Sequence, residues 1–305
     1  MRSLIKRIIP ESVSRLARPC FQKLRNFSRL REKRETKQVF DDASEIPNYL
    51  QYDMLPLFQK QYPFPPEYGY DPKALEIRGD KRAVEILRLP GAKKANRFLE
   101  LGCWDGMVSC RLSRAGKSTT AIDSRDAGFD PRASSAGVAF LKMDAACLQF
   151  DSESFDFVFS YDAFEHFACP AAVLQEVIRV VRPGGHVYFD FAPLYFSPYG
   201  EHAYRSITVP YCQLLWPKQL LNDFCGENGL KPIDFSHVNG WSIREFRNLW
   251  HKHARLLRKI RYSESVDLSH LDLIRRFPAC FKSKSTNFED FIVAGISVLF
   301  QRCNR

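Results

Sequence analysis

The amino-acid sequence predicts an α/β protein: a doubly wound, mostly parallel seven-stranded sheet with helices on both faces. Three observations carry this. Short apolar or β-branched runs alternate with helical patterns, the order that parallel sheets joined by crossovers require. The first run, Phe98-Leu-Glu-Leu101, stops at Gly102, and Gly106 follows where a helix begins. A chain leaving a buried strand, turning tightly and entering a helix over a ligand has this form. Successive runs also end in an acid, at Asp123, Asp144 and Asp162.

Each element follows in order. Residues 73–90 read as a helix leading into the sheet. Gly102 lets backbone approach a ligand closely, and Gly106 lets the first helix pack against its strand. Ser118-Thr-Thr-Ala-Ile-Asp123 is the second strand, Val138–Asp144 the third and Phe155–Asp162 the fourth. Ala163-Phe-Glu-His166 and Pro170 come next. A helix then closes on Arg182-Pro-Gly-Gly185, before a fifth strand at His186–Phe191. Lys218 to Asn228 is helical, 230–237 is placed as the sixth strand, and Ser242 caps a basic helix running to about Ile260. Residues 262–287 show only a short helix near His270. Phe291 to Gln301 is the last strand.

In register, the glycine turn, Asp123, the Phe-Asp-Phe-Val strand with Glu165-His166, and Arg182-Pro-Gly-Gly185 resemble the class I S-adenosylmethionine-dependent methyltransferases. The likeness is to the subgroup acting on small molecules, lipids and sugars, and it covers roughly residues 95–195. It implies a Rossmann-like methyltransferase fold whose last strand is antiparallel, with S-adenosylmethionine as cofactor. Residue by residue, it implies that Glu100, Gly102 and Gly106 flank the methionine portion. Asp123 would hold the ribose hydroxyls, Asp144 would accept from the adenine amino group, and Ser160 and Tyr161 would line the site beyond the fourth strand. Trp104 departs from the pattern, standing where such proteins commonly carry glycine. Its indole either stacks near the cofactor or folds back on the turn. A nicotinamide-binding reading needs G-x-G-x-x-G, and Gly102-Cys-Trp-Asp-Gly106 lacks the middle glycine and the spacing.

Composition bounds the function. The 305 residues carry 45% hydrophobic content and 25 phenylalanines, ample for a large core. Nine cysteines form no C-x-x-C pair, which fits a reducing compartment, and no metal site is expected. His251 and His253 sit on different faces of a helix. The net charge of +10 is concentrated at one end. Residues 1–37 hold 12 Lys or Arg against 3 acids, leaving 33 basic and 32 acidic residues of the chain's 45 and 35 for a nearly neutral body. That body argues against a nucleic-acid-binding face. The organisation is read as a basic amphipathic arm (1–37), an aromatic and proline-rich segment with the leading helix (38–94), and a methyltransferase domain (95–305). The arm suits an anionic membrane surface, a docked helix or a targeting segment. A cytoplasmic protein, peripheral on the membrane, is the corresponding localisation.

The acceptor loop leaves the fifth strand at Pro193 and runs to about 216. It carries three tyrosines and Glu201-His202 between 193 and 204. Methyl transfer to a hydroxyl calls for a base, and His202 is assigned that role, with Tyr199 or Tyr204 orienting it. His166 is a second candidate that supports the cofactor pocket. The leading function is an O-methyltransferase for a sugar, glycolipid or other small acceptor. Two alternatives are a nucleic-acid methyltransferase and a non-catalytic binding module. Against the former, Ser160-Tyr-Asp-Ala163 stands where amino-methylating enzymes carry an Asn/Asp-Pro-Pro-Tyr motif.

Overall fold

A computed structural model describes residues 28–46, 48–64 and 69–304. The basic stripe expected over 1–27 lies outside the described residues. Two compact units emerge, one from the chain up to Tyr49 with Leu268–Phe288, the other from Leu50–Asp267 with Glu289–Arg305.

The first unit is helical: α1 spans residues 28–41. Arg31–Glu35 and Lys37–Asp41 pair along α1 at i,i+4, while Thr36 and Phe40 are fully buried. Phe40 packs on Phe288 with ring centroids 5.5 Å apart.

The second unit begins with α2 (Met54–Gln59) and α3 (Pro72–Arg88). Asp71 accepts from the N–H groups of Lys73 and Ala74, and Pro72 occupies the first helical position, so α3 starts where its orphan donors are met. There follow β1 (Arg97–Leu101), α4 (Met107–Arg114), β2 (Ser118–Asp123), α5 (Pro131–Ser135), β3 (Ala139–Lys142), β4 (Phe155–Tyr161), α6 (Pro170–Val180) and β5 (Val181–Phe191). The acceptor loop holds a 3₁₀ turn at Ala203–Arg205 and α7 (Cys212–Leu215), before α8 (Lys218–Glu227), α9 (Ile243–Lys252) and β6 (Leu257–Val266). After the first unit's α10 (Leu271–Arg276) and α11 (Pro278–Lys282) come α12 (Glu289–Ile292) and β7 (Val293–Arg302).

The seven strands form one sheet in the order β3-β2-β1-β4-β5-β7-β6. Pairings among β1 to β5 are parallel, and β7 runs antiparallel to both β5 and β6. The fold is the doubly wound methyltransferase arrangement the sequence predicts, including its single reversed strand. Central β4 is buried along its whole length because helices cover both faces, which explains an apolar run without alternation. The order reverses between β1 and β4, so the carboxyl ends of β1, β2 and β4 open into one crevice.

Two element assignments are corrected. Residues 230–237 are not a strand. Pro232 lacks an N–H for a ladder, and Asp234 accepts from the Ser236 N–H at 2.9 Å, turning the chain instead. Helix α9 starts at the expected Ser242 cap, where Glu245 completes a capping box, but stops at Lys252, and 257–266 is the missing strand. Leu256, Leu257 and Ile260 fit a helical stripe, which hid it. As an edge strand, β6 keeps Arg258, Lys259 and Arg261 in solvent, so it lacks an alternating pattern. Among the described residues no helix is long and apolar enough to cross a membrane.

Candidate active site

A cleft of about 1470 Å³ lies at the carboxyl ends of the strands, bounded by β1, β2, β4, helix α3 and the acceptor loop. Pockets for drug-sized ligands run to about 1000 Å³, so this one can hold a nucleoside and a second molecule.

At the tip of β1, Glu100 is 3% exposed and accepts from both the N–H and the hydroxyl of Ser109, at 3.1 and 2.6 Å. Burial pushes its carboxyl up to about 8, against the pull of Ser109. Gly102 lines the cleft in the left-handed region at φ +65°, and a Cβ there would lie 2.5 Å from that of Ala163. Gly102→Ala should therefore destabilise the domain by about 2–4 kcal/mol, from overpacking and the left-handed cost together, as denaturant unfolding would show. Pairing it with Ala163→Gly should recover part of the loss. Gly106 stands outside the lining residues. It caps α4 at φ +72° with a Cβ direction filled by the Phe140 ring, a packing role.

Asp123, at the tip of β2, is 7% exposed. Its carboxylate accepts from the N–H groups of Trp104 (3.0 Å) and Arg125 (3.1 Å), and from Arg125 Nε (2.9 Å) and Nη2 (3.1 Å). Burial opposes ionisation, but these hydrogen bonds outweigh it and hold Asp123 below the usual carboxylate range. The Arg125 guanidinium also sits 3.8 Å above the Trp104 ring centroid, with the indole 49% exposed. Trp104 thus remains at the rim of the cleft with φ +49°. Asp144 lines the cleft past β3, with one oxygen accepting from the Ala146 N–H at 2.9 Å.

Beyond β4 the outcome is mixed. Ser160 is buried and its hydroxyl donates to the Leu101 carbonyl at 2.9 Å, so it ties β4 to β1 and lies outside the lining. Tyr161 borders the cleft, yet its hydroxyl donates to Glu85 of α3 at 3.2 Å, and burial raises its pKa. Glu165 is 2% exposed, and neither of its carboxylate oxygens has a hydrogen-bond partner among the described residues. Burial pushes that carboxyl well above the usual range.

His202 enters from the acceptor loop at φ +57°, and its Nε2 is buried and unpartnered among the described residues. The Pro193 backbone, which offers only a carbonyl, favours the protonated ring and opposes the effect of burial on His202. Glu201, its neighbour, is buried without a hydrogen-bond partner among the described residues and lies outside the lining. His166 donates from Nδ1 to the His237 carbonyl at 2.6 Å. The imidazoles of His166, His202 and His237 converge, with His166 centroids 4.9 Å from His202 and 4.3 Å from His237. Burial pulls His166 down to about 4 and His202 to about 3, so both are neutral at physiological pH. Sequence reasoning missed His237, placed on the supposed sixth strand, and Arg125. Positions 166, 202 and 237 have no local spacing that announces a cluster.

Residues 99–189 match a family model described as a methyltransferase domain. The chain is 35% identical over 135 residues to the phthiotriol/phenolphthiotriol dimycocerosates methyltransferase of Mycobacterium leprae, covering 42% of this chain and 48% of that protein. It is 22% identical over 160 residues to a ubiquinone biosynthesis O-methyltransferase of Coxiella burnetii, covering 48% of this chain and 68% of the other. It therefore spans about half the length of the mycobacterial relative. The PH0226 protein of Pyrococcus horikoshii shares the fold, with a TM-score of 0.50 at 16% identity over 78% of this chain and 95% of that one.

Proposed function

We propose that this chain, a member of the class I S-adenosylmethionine-dependent methyltransferases, transfers a methyl group to a hydroxyl of a sugar, glycolipid or other small or lipid-linked acceptor. The donor set at the strand tips suits that cofactor. Asp123 is an ionised acceptor for two vicinal hydroxyls, Glu100 offers a carboxyl to a cationic methionine end, and Gly102 keeps the turn free of a side chain. The cofactor supplies a methyl already activated on a sulfonium, so the protein's task is alignment of the acceptor lone pair with it.

One observation carries the reading: His202, with its Nε2 unpartnered among the described residues, lines the same cleft as Glu100 and Asp123. An acceptor hydroxyl lying between them meets the methyl on one side and an imidazole on the other. Tyr204, with its ring centroid 6.4 Å from that of His202, adds an aromatic wall of the kind that stacks on a sugar face. The names of the two relatives, one of them an O-methyltransferase, favour an oxygen acceptor and a lipid-type molecule.

Calorimetry with S-adenosylhomocysteine tests cofactor binding, and labelled methyl donor in a metabolite extract finds the acceptor. His202→Ala should lower turnover by about 10²–10⁴-fold, the range for proton handling at a reacting group, with S-adenosylhomocysteine affinity unchanged. Equal losses in both would make His202 structural and sink its assignment.

A further inference from the structure

We propose that His166, His202 and His237 bind a divalent transition metal of the zinc class through their ring nitrogens, with a coordination position left toward the cleft for the acceptor oxygen.

The geometry carries this. Each of the three residues offers a nitrogen, and these atoms lie within 4.8 Å of one another. Zinc–nitrogen bonds are about 2.1 Å, so the ligands need to move inward by less than about 1 Å to share an ion. One of the rings is already fixed in the tautomer that coordination needs. His166 gives its Nδ1 proton to the His237 carbonyl and so presents Nε2 as a lone pair, while His202 holds a buried Nε2 with no hydrogen-bond partner among the described residues. Metal-ligating histidines are oriented in this way, by a carbonyl on the far nitrogen. Rings that face one another without a hydrogen bond among them gain little from the arrangement unless something occupies the space they share.

A second observation points to a cation. Glu165 is 2% exposed, has no hydrogen-bond partner among the described residues, and places Oε1 3.8 Å from His166 Nε2. An unpaired buried carboxyl is costly, and a neighbouring dication offsets that cost by stabilising its ionised form.

Three nitrogen ligands with a free fourth position make the pattern of a catalytic rather than a structural zinc site. An oxygen held at that position loses its proton to solvent near neutral pH, as zinc-bound water does at about 7. The role toward the acceptor rests on the methyl-transfer reading, whereas the metal site stands on its own geometry.

The test uses the full chain, stripped with a chelator and titrated with Co²⁺ while its visible d–d absorption is followed. One Co²⁺ per chain should bind, and Zn²⁺ should displace it. His166→Gln, His202→Gln and His237→Gln should each weaken binding by about 100-fold or more, the upper end of what losing even an outer-shell partner costs. His251→Gln, a surface control, should leave binding unchanged. His237→Cys should restore it with a sulfur-to-cobalt charge-transfer band, which separates lost ligation from misfolding. S-adenosylhomocysteine calorimetry runs beside each titration. Cofactor binding without stoichiometric Co²⁺ uptake, or uptake indifferent to all three substitutions, overturns the metal site. Co²⁺ uptake without cofactor binding leaves the site standing and removes the methyl-transfer reading.

Discussion

Asp123→Ala should weaken S-adenosylhomocysteine binding by about 10²–10⁴-fold, because two hydrogen bonds from ribose hydroxyls to a charged group contribute about 1.5–3 kcal/mol each. The carboxylate is ionised, nearly buried and located at the tip of β2, on the crevice that the switch between β1 and β4 opens. Its acceptor sites are already filled, two by backbone N–H groups and two by Arg125. Ribose hydroxyls must therefore displace the guanidinium, which can swing out because its side chain is 41% exposed. Arg125→Ala removes the competitor and should leave affinity equal or tighter, the opposite sign from Asp123→Ala. Asp123→Asn, which keeps the size and one carbonyl acceptor, should fall between them. Calorimetry on the three variants decides the matter, with thermal unfolding as a check on the turn that Asp123 supports through Trp104. Unchanged affinity in Asp123→Ala would falsify the ribose assignment.

The legible part of this protein was the part built from local pattern. Strand β4 announces itself because a fully covered strand is a continuous apolar run, and the glycine turn because only glycine fits φ +65° against Ala163. The acids at strand tips are readable for the same reason: they end runs whose direction the fold fixes. What escaped was set by pairing at a distance. The edge strand β6 has one partner and a solvated face, so its residues obey no period of two, and Leu256 and Leu257 continued a helical stripe. Ser160 carries a cofactor role in the resemblance, but its hydroxyl meets the Leu101 carbonyl across the sheet, a contact visible only once β1 and β4 are neighbours. The three imidazoles come from the end of β4, the acceptor loop and a turn after α8. Only the crossovers of a doubly wound sheet place these side by side.

Stability should fall as pH rises from about 5 to 8, and Glu100 should account for a large share of the slope. In the unfolded chain this carboxyl titrates near 4.5, whereas in the fold burial moves it to about 8. Between those values the native state holds a proton that the unfolded state has released. Unfolding is therefore favoured increasingly with pH, and the contribution is complete below the unfolded pKa and gone above the folded one. A shift of that size corresponds to a few kcal/mol, on the order of 1.4 per unit. Glu201, also raised to about 8 by burial, and Glu165 act in the same direction. Glu100→Gln keeps the shape and an acceptor for Ser109, so it should match the wild type at pH 5 and exceed it at pH 8 in denaturant unfolding. A cationic methionine end beside Glu100 reverses the balance by favouring the carboxylate, so cofactor uptake near pH 7 should release a proton. Calorimetry in two buffers of different ionisation heat would measure that release, and Glu100→Gln should abolish it. If the wild type releases no proton, the charged end of the cofactor lies away from Glu100, and the two sides of the first strand tip exchange roles.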